Sequence, residues 1–295
     1  MYCRWSSGGE ILIMYSLLYI MYMYRKCYRF SRRGVSPVVA TILLVAIFTV
    51  LVAVALSVAQ DVLSGGYTQS DSSEAASVCG ALGGAVSRVG FSYGEAESVS
   101  YTFKTSSLVF IPGALGYTIE FSDDKSISVS TGVLIVGTPA THFSYGGSYF
   151  EAVYPAGGGY PVAPSTDSTV WSIQDEGSMG GAEYVFTALF PVPQLVNTTI
   201  TVGGDQVWRL YIIRLVGGGS SVESFTKSGY ISVEGLGEEV YTYSGVSTIS
   251  VEVSSLTQAY PTGFFRISAA NAEFGGGGVI VQVVVANVSV SGSVL

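Results

Sequence analysis

The sequence predicts an α+β chain that is mainly β: a long N-terminal apolar helix followed by an elaborated, Ig-like antiparallel β-sandwich. Three observations lead there. No charge appears between Arg33 and Asp61, although five cations stand just ahead of that stretch. From Ser98 onward, short runs alternate apolar and polar residues between Gly, Pro or Asp boundaries, which is the period of half-buried strands. The 295 residues are 48% hydrophobic and 13% aromatic, enough core material for one large domain or two modest ones.

Residues 1–34 read as a leader. Its second apolar run, Ile11 to Tyr24, is 14 residues long and too short to span a bilayer comfortably. Met23 offers a later start, opening a 12-residue leader "MYRKCYRFSRRG" that keeps the charges next to the helix; Met21 is nearly as good. Residues 35–60 are the expected assembly or transmembrane helix. From Val35 to Ala59 the only polar residues are Ser36, Thr41, Thr49 and Ser57. At about 1.5 Å per residue that run covers roughly 37 Å, against a hydrocarbon core of about 30 Å.

The ends of this helix are specified too. Ser36 can cap it, and Pro37 suits a first turn, where a missing N–H costs nothing. Arg25, Lys26, Arg29, Arg32 and Arg33 precede it while Asp61, Asp71 and Glu74 follow, so the positive-inside rule keeps the N-terminus cytoplasmic and sends the C-terminal domain out. Apolar residues occupy every side, which demands lipid or other apolar helices as surroundings. Ala40, Ala46, Ala53, Ala55 and Ala59 allow close backbone approach.

The stretch "RRGVSPVVATILLVAI", Arg32 to Ile47, resembles the N-terminus of archaeal type IV pilins. That resemblance implies a prepilin peptidase acting on the cytoplasmic side, recognising Arg32 and Arg33 and cutting between Gly34 and Val35. The apolar helix then stays on the mature subunit. Ser36, Pro37 and Val38 look like the pilin branch and not the related archaellins. The likeness covers about thirty residues of the 295. It departs from the bacterial pattern at Val39, the fifth mature residue, where bacterial pilins usually carry Glu; registration between subunits must then come from packing.

Residues 61–84, "DVLSGGYTQSDSSEAASVCGALGG", read as a helix end and a joint. The expected β domain covers 85–295. Its strand-like runs are 98–104, 117–121, 126–130, 197–202, 207–215, 230–234, 240–244, 247–253 and 279–291, with hairpin turns expected at Asp123-Asp124-Lys125 and Gly203-Gly204-Asp205.

Composition also excludes. Residues 1–34 hold six Lys or Arg against one acid, +5, and the other 261 hold seven against twenty, −13, which gives the net −8. An acidic domain with scattered cations offers no nucleic-acid surface. Cys3 and Cys27 precede the apolar span and Cys79 follows it, so no disulfide framework is expected. His142 is the single histidine, Gly275 to Gly278 lack the Lys-Ser of a phosphate loop, and the acid pairs Asp123-Asp124, Asp175-Glu176 and Glu238-Glu239 lack EF-hand spacing. No catalytic residue, cofactor or metal site is expected.

Asn197-Thr198-Thr199 and Asn287-Val288-Ser289 are N-glycosylation sequons. Strand alternation places Asn197, Thr199 and Thr201 outward with Thr198, Ile200 and Val202 inward, and Asn287, Ser289 and Ser291 outward with Ala286, Val288 and Val290 inward.

The resemblance therefore leads us to expect a structural subunit of an extracellular, type IV pilus-like filament, membrane-inserted before assembly and used in adhesion or cell contact. Its expected partners are further copies of itself, the prepilin peptidase and pilus assembly machinery, and glycans. The alternative is a minor pilin or a non-polymerising, membrane-anchored surface protein that binds sugars on the Tyr-rich segment Tyr145 to Tyr160.

Overall fold

The computed structural model describes residues 37–140, 145, 149–179, 182–219, 222–255, 265–275 and 278–294. Arg32, Arg33, Gly34, Val35, Ser36 and His142 lie outside the described residues. The chain divides into two units, Met1–Ala59 and Gln60–Leu295.

The first described element is helix α1, Pro37–Val89, 53 residues without a break. Inside its apolar stretch the hydroxyls of Thr41, Thr49 and Ser57 donate to the carbonyls of Val38 (3.0 Å), Val45 (2.8 Å) and Val54 (2.9 Å), so these side chains need no water. The segment expected to be a helix end and joint, 61–84, is helical throughout. Its buried side chains, Thr68, Asp71, Ser72, Ala75, Val78, Cys79, Leu82, Ala85, Val86 and Val89, follow the three-to-four spacing of one helix face and form one stripe. The last turn is held by Arg88, whose guanidinium donates twice to Glu97 at 2.7 and 2.6 Å. A cation there also complements the helix C-terminus.

The strands are β1 (Ala96–Thr102), β2 (Ser107–Phe121), β3 (Ser126–Pro139), β4 (Phe150–Tyr154), β5 (Val162–Ala163), β6 (Val170–Met179), β7 (Ala182–Pro191) and β8 (Gln194–Val202). They continue with β9 (Asp205–Val216), β10 (Glu223–Ser224), β11 (Ser228–Val246), β12 (Thr248–Ser255), β13 (Ser268–Ala269), β14 (Asn271–Glu273) and β15 (Val279–Val294). One sheet has the order β1-β11-β15-β9-β8; the larger runs β14-β12-β2-β3-β7-β6-β4, with β10 added beside β2. Both expected hairpins form. Asp124 takes φ 60° between β2 and β3, and Gly203 and Gly204 take φ 64° and 102° in the two-residue turn between β8 and β9.

The pairing departs from the expectation in two ways. β15 runs parallel to β9 over Ile280 to Ser289, and β5 pairs parallel with β13, so the domain is not wholly antiparallel. In addition, β4, β6 and β7 supply strands where none was expected.

Two hydrophobic clusters fill the β unit. One is built from strands, including Val133 and Ile135 of β3, Leu210 and Ile212 of β9, and Val283 and Val285 of β15. The other surrounds α1 with Leu134 and Val136, Ile213 and Leu215, and Ala286 and Val288. Adjacent residues of the same strands thus enter different clusters, so β3, β9 and β15 bury both faces. The sheets touch at Thr131, whose hydroxyl accepts the Leu215 N–H at 2.9 Å, beside Gly132, where a Cβ would lie 2.3 Å from the Phe110 ring. Gly235 serves a similar close approach: a Cβ there would stand 2.0 Å from the Ser92 carbonyl and 2.4 Å from that of Val89.

Candidate functional site

Helix α1 changes character along its length. Ile42, Leu43, Leu44 and Val45 are four consecutive exposed apolar residues, and at 100° per residue they point to every side. Leu44 and Phe48 are 68% and 66% exposed. This part of the helix is long and apolar enough to cross a membrane. From Thr68 onward the same helix instead buries one stripe against the strands.

Polar side chains help fasten that stripe. Asp71, only 3% exposed, accepts the backbone N–H groups of Lys104, Thr105 and Ser106 and the Thr105 hydroxyl. Burial pushes its carboxyl up, but these four donors outweigh burial and hold it below the ordinary carboxylate range. At the next residue, the Gln174 amide reaches the Ser72 carbonyl (3.0 Å) and hydroxyl (3.1 Å) and donates also to the Thr187 hydroxyl (3.0 Å), its two hydrogens shared among the three acceptors. Burial pushes the Cys79 thiol up to about 12, so it packs as a small hydrophobe and not as a nucleophile. Sequence reasoning missed Asp71, Ser72 and Gln174. The signal available for the first two was their place in the 3–4 spacing of the stripe.

One acid of each pair is engaged by a neighbouring side chain. Asp123 pairs with Lys125, Glu239 accepts the Tyr241 hydroxyl at 2.7 Å, and Asp175 takes a two-pronged contact from Arg266 at 2.5 and 2.9 Å.

The two sequons sit in different settings. Asn197 is exposed on β8, and its side-chain oxygen accepts the Thr199 N–H (3.0 Å) and the Gln206 amide (2.9 Å). Thr199 has φ 57°, and the pairing of β8 with β9 is irregular between Asn197 and Thr201. Alternation therefore fails there: Ile200 is 48% and Val202 55% exposed, against the expectation that both face inward. Asn287 is half-buried in β15, opposite Gly237 of β11 and Arg214 of β9. On that strand the expected alternation holds, since Ala286, Val288 and Val290 are buried in the cluster around α1.

One mixed groove of about 450 Å³ lies in the β unit, lined by Ser87, Phe91, Tyr154, Asp167, Gln194 and Tyr211 together with Ser168 and Thr169. No protein-family model matches this chain, and neither a curated protein nor a solved structure matches it.

Proposed function

We infer that the protein is the subunit of a surface filament, polymerising through the apolar part of α1, with the β unit as coat. The observation that carries this reading is the division within a single helix. Positions 38–63 expose apolar side chains on every side, while positions 68–89 bury a stripe in the β unit. A water-soluble subunit would not leave so large an apolar surface uncovered, whereas copies of the same helix, or lipid before assembly, would cover it. Ala40, Ala46, Ala53 and Ala55 let such copies approach closely. The pilin-like junction at Arg32 to Val38 supplies the route: cleavage after Gly34 by a prepilin peptidase, then assembly by pilus machinery at the cell surface. The coat is an elaborated, Ig-like sandwich in this reading, with glycans on Asn197 and Asn287 facing outward.

Electron microscopy of filaments sheared from cells, with mass spectrometry of their subunits, tests it. This chain should be the filament subunit and begin at Val35. A surface-exposed chain that retains its leader, or never enters filaments, overturns the reading in favour of a membrane-anchored binding protein.

A further inference from the structure

Six separate elements converge on the groove: the end of α1 (Ser87), the turn after it (Phe91), β4 (Tyr154), the loop before β6 (Asp167), the start of β8 (Gln194) and β9 (Tyr211). Its volume, about 450 Å³, lies within the range of about 300–1,000 Å³ usual for small-molecule clefts. Among the described residues the lining combines three aromatic rings with hydroxyls, a carboxamide and a single carboxylate, with no cation.

The parts are held in place beforehand. The loop bearing Asp167 is pinned because the Ser165 hydroxyl accepts the Asp167 N–H at 3.1 Å, the Ser165 N–H donates to the Pro193 carbonyl at 2.6 Å, and the Leu195 N–H donates to the Ser165 carbonyl at 2.9 Å. Phe91 and Tyr211 pack edge to face, with centroids 5.0 Å apart at 72°. The Tyr154 hydroxyl donates to that of Ser87 at 3.3 Å. All three rings are half-buried, which leaves ring surface facing the groove.

We propose that this groove binds a neutral saccharide. A sugar ring offers an apolar C–H face for the aromatic surface and adjacent hydroxyls that donate to the Asp167 carboxylate and both donate to and accept from the Gln194 carboxamide. An anionic ligand would meet the Asp167 charge with no cation among the described lining residues to offset it; Arg209 donates to the Tyr211 hydroxyl at 3.4 Å but is itself engaged with Gln282 at 3.0 Å and does not line the groove. A quaternary ammonium wants aromatic faces arranged as a cage, whereas here two of the three rings are turned against each other, and the hydroxyls would find no partner on such a ligand. The proposal names the contact chemistry of the surface subunit inferred above and rests on that reading only for where the saccharide is met.

The test uses the full chain in detergent micelles, titrated with the methyl glycosides of glucose, mannose and galactose and their disaccharides, and followed by saturation-transfer NMR and calorimetry. At least one should bind with a Kd of roughly 1 mM or tighter. Asp167→Asn and Gln194→Ala should each weaken binding about tenfold with unchanged melting temperature, and Tyr211→Ala should abolish it. Absence of binding by every saccharide, equal binding by all variants, or preferential binding of choline or of a short peptide overturns the proposal. Filament yield separates the two readings. Normal filaments from Asp167→Asn, together with the tenfold weaker saccharide binding, support the groove assignment. Failure of the unmutated chain to form filaments counts only against the filament reading.

Discussion

Asp71 and Thr105 meet twice although 34 residues separate them: one carboxylate oxygen of Asp71 accepts the Thr105 N–H at 2.6 Å and the Thr105 hydroxyl at 2.8 Å. With the N–H groups of Lys104 and Ser106, this ties the turn between β1 and β2 to α1. A helix packed only through a smooth apolar stripe could slide; a buried carboxylate with four donors fixes its register. The carboxyl is held below its ordinary range in the folded state, so its stabilisation is present above the unfolded value of about 3.9 and is lost as pH falls through the folded value. Asp71→Asn should lower stability at neutral pH by roughly 1.5–3 kcal/mol. It should also flatten the acid limb of a plot of melting temperature against pH. An unchanged acid limb would show that other carboxylates carry it.

Two helical glycines should respond to alanine with opposite signs. At Gly83 an added Cβ would stand 2.8 and 2.9 Å from ring carbons of Tyr154, the rigid body of a side chain whose hydroxyl is bonded to Ser87. The strain, about 1–3 kcal/mol, exceeds the gain of about 0.5–1 kcal/mol from replacing a helical glycine. At Gly66 nothing lies within 4 Å, so Gly66→Ala should show only the gain. Thermal melts of both variants decide it, and the same sign in both would mean that Tyr154 yields.

Charge in the apolar part of α1 should stop assembly without unfolding the β unit. Val45 and Phe48 are exposed and belong to the other of the two units. Val45→Asp or Phe48→Asp would cost about 2.5–3.5 kcal/mol for membrane insertion alone. Filaments should be absent in electron micrographs while the melting of the β unit stays unchanged. Normal filaments that lack the variant chain would favour a lone lipid-facing anchor, and normal filaments that contain it would show that this part of α1 does not drive assembly.

The apolar helix, both hairpins and the alternating strands were legible because each follows from local pattern: an uncharged run, paired aspartates or paired glycines, a period of two. The docked half of α1 was hidden by its chemistry. It docks through Asp71, Ser72 and close-packed Gly83 with Thr68 buried beside them, residue types that in sequence suggest a joint, and only their 3–4 spacing marks them as a buried stripe. β7 escaped because Val185 to Pro191 is buried continuously, with no polar face to reveal a strand. The parallel pairing of β15 with β9 and the convergence of six elements on the groove depend on contacts distant in sequence, which local periodicity does not record. At Ile200 alternation misled, because Thr199 at φ 57° breaks the count of faces.

That break changes what substitution at the two sequons should do. Asn197→Gln and Asn287→Gln should each remove one glycan, read by intact mass after expression in a glycosylating host. Asn287→Gln shifts an amide that hydrogen-bonds the Glu239 carboxylate from a half-buried position, so about 1 kcal/mol is expected. Asn197→Gln displaces an acceptor that serves Thr199 and Gln206, so about 1 kcal/mol is expected there. Asn197, exposed on an edge strand, should be occupied more fully than Asn287, which is half-buried in a strand paired on both sides. The apolar neighbours should differ more sharply. Val288 is fully buried against the cluster around α1, and Val288→Ala should cost on the order of 1–4 kcal/mol through the cavity it leaves. Ile200 stands 48% exposed, and Ile200→Ala should change stability by less than about 0.5 kcal/mol. Equal losses at Ile200 and Val288 in thermal melts would mean that the tip of the β8–β9 hairpin is covered in the working protein, and a glycan on Asn197 would then have no room.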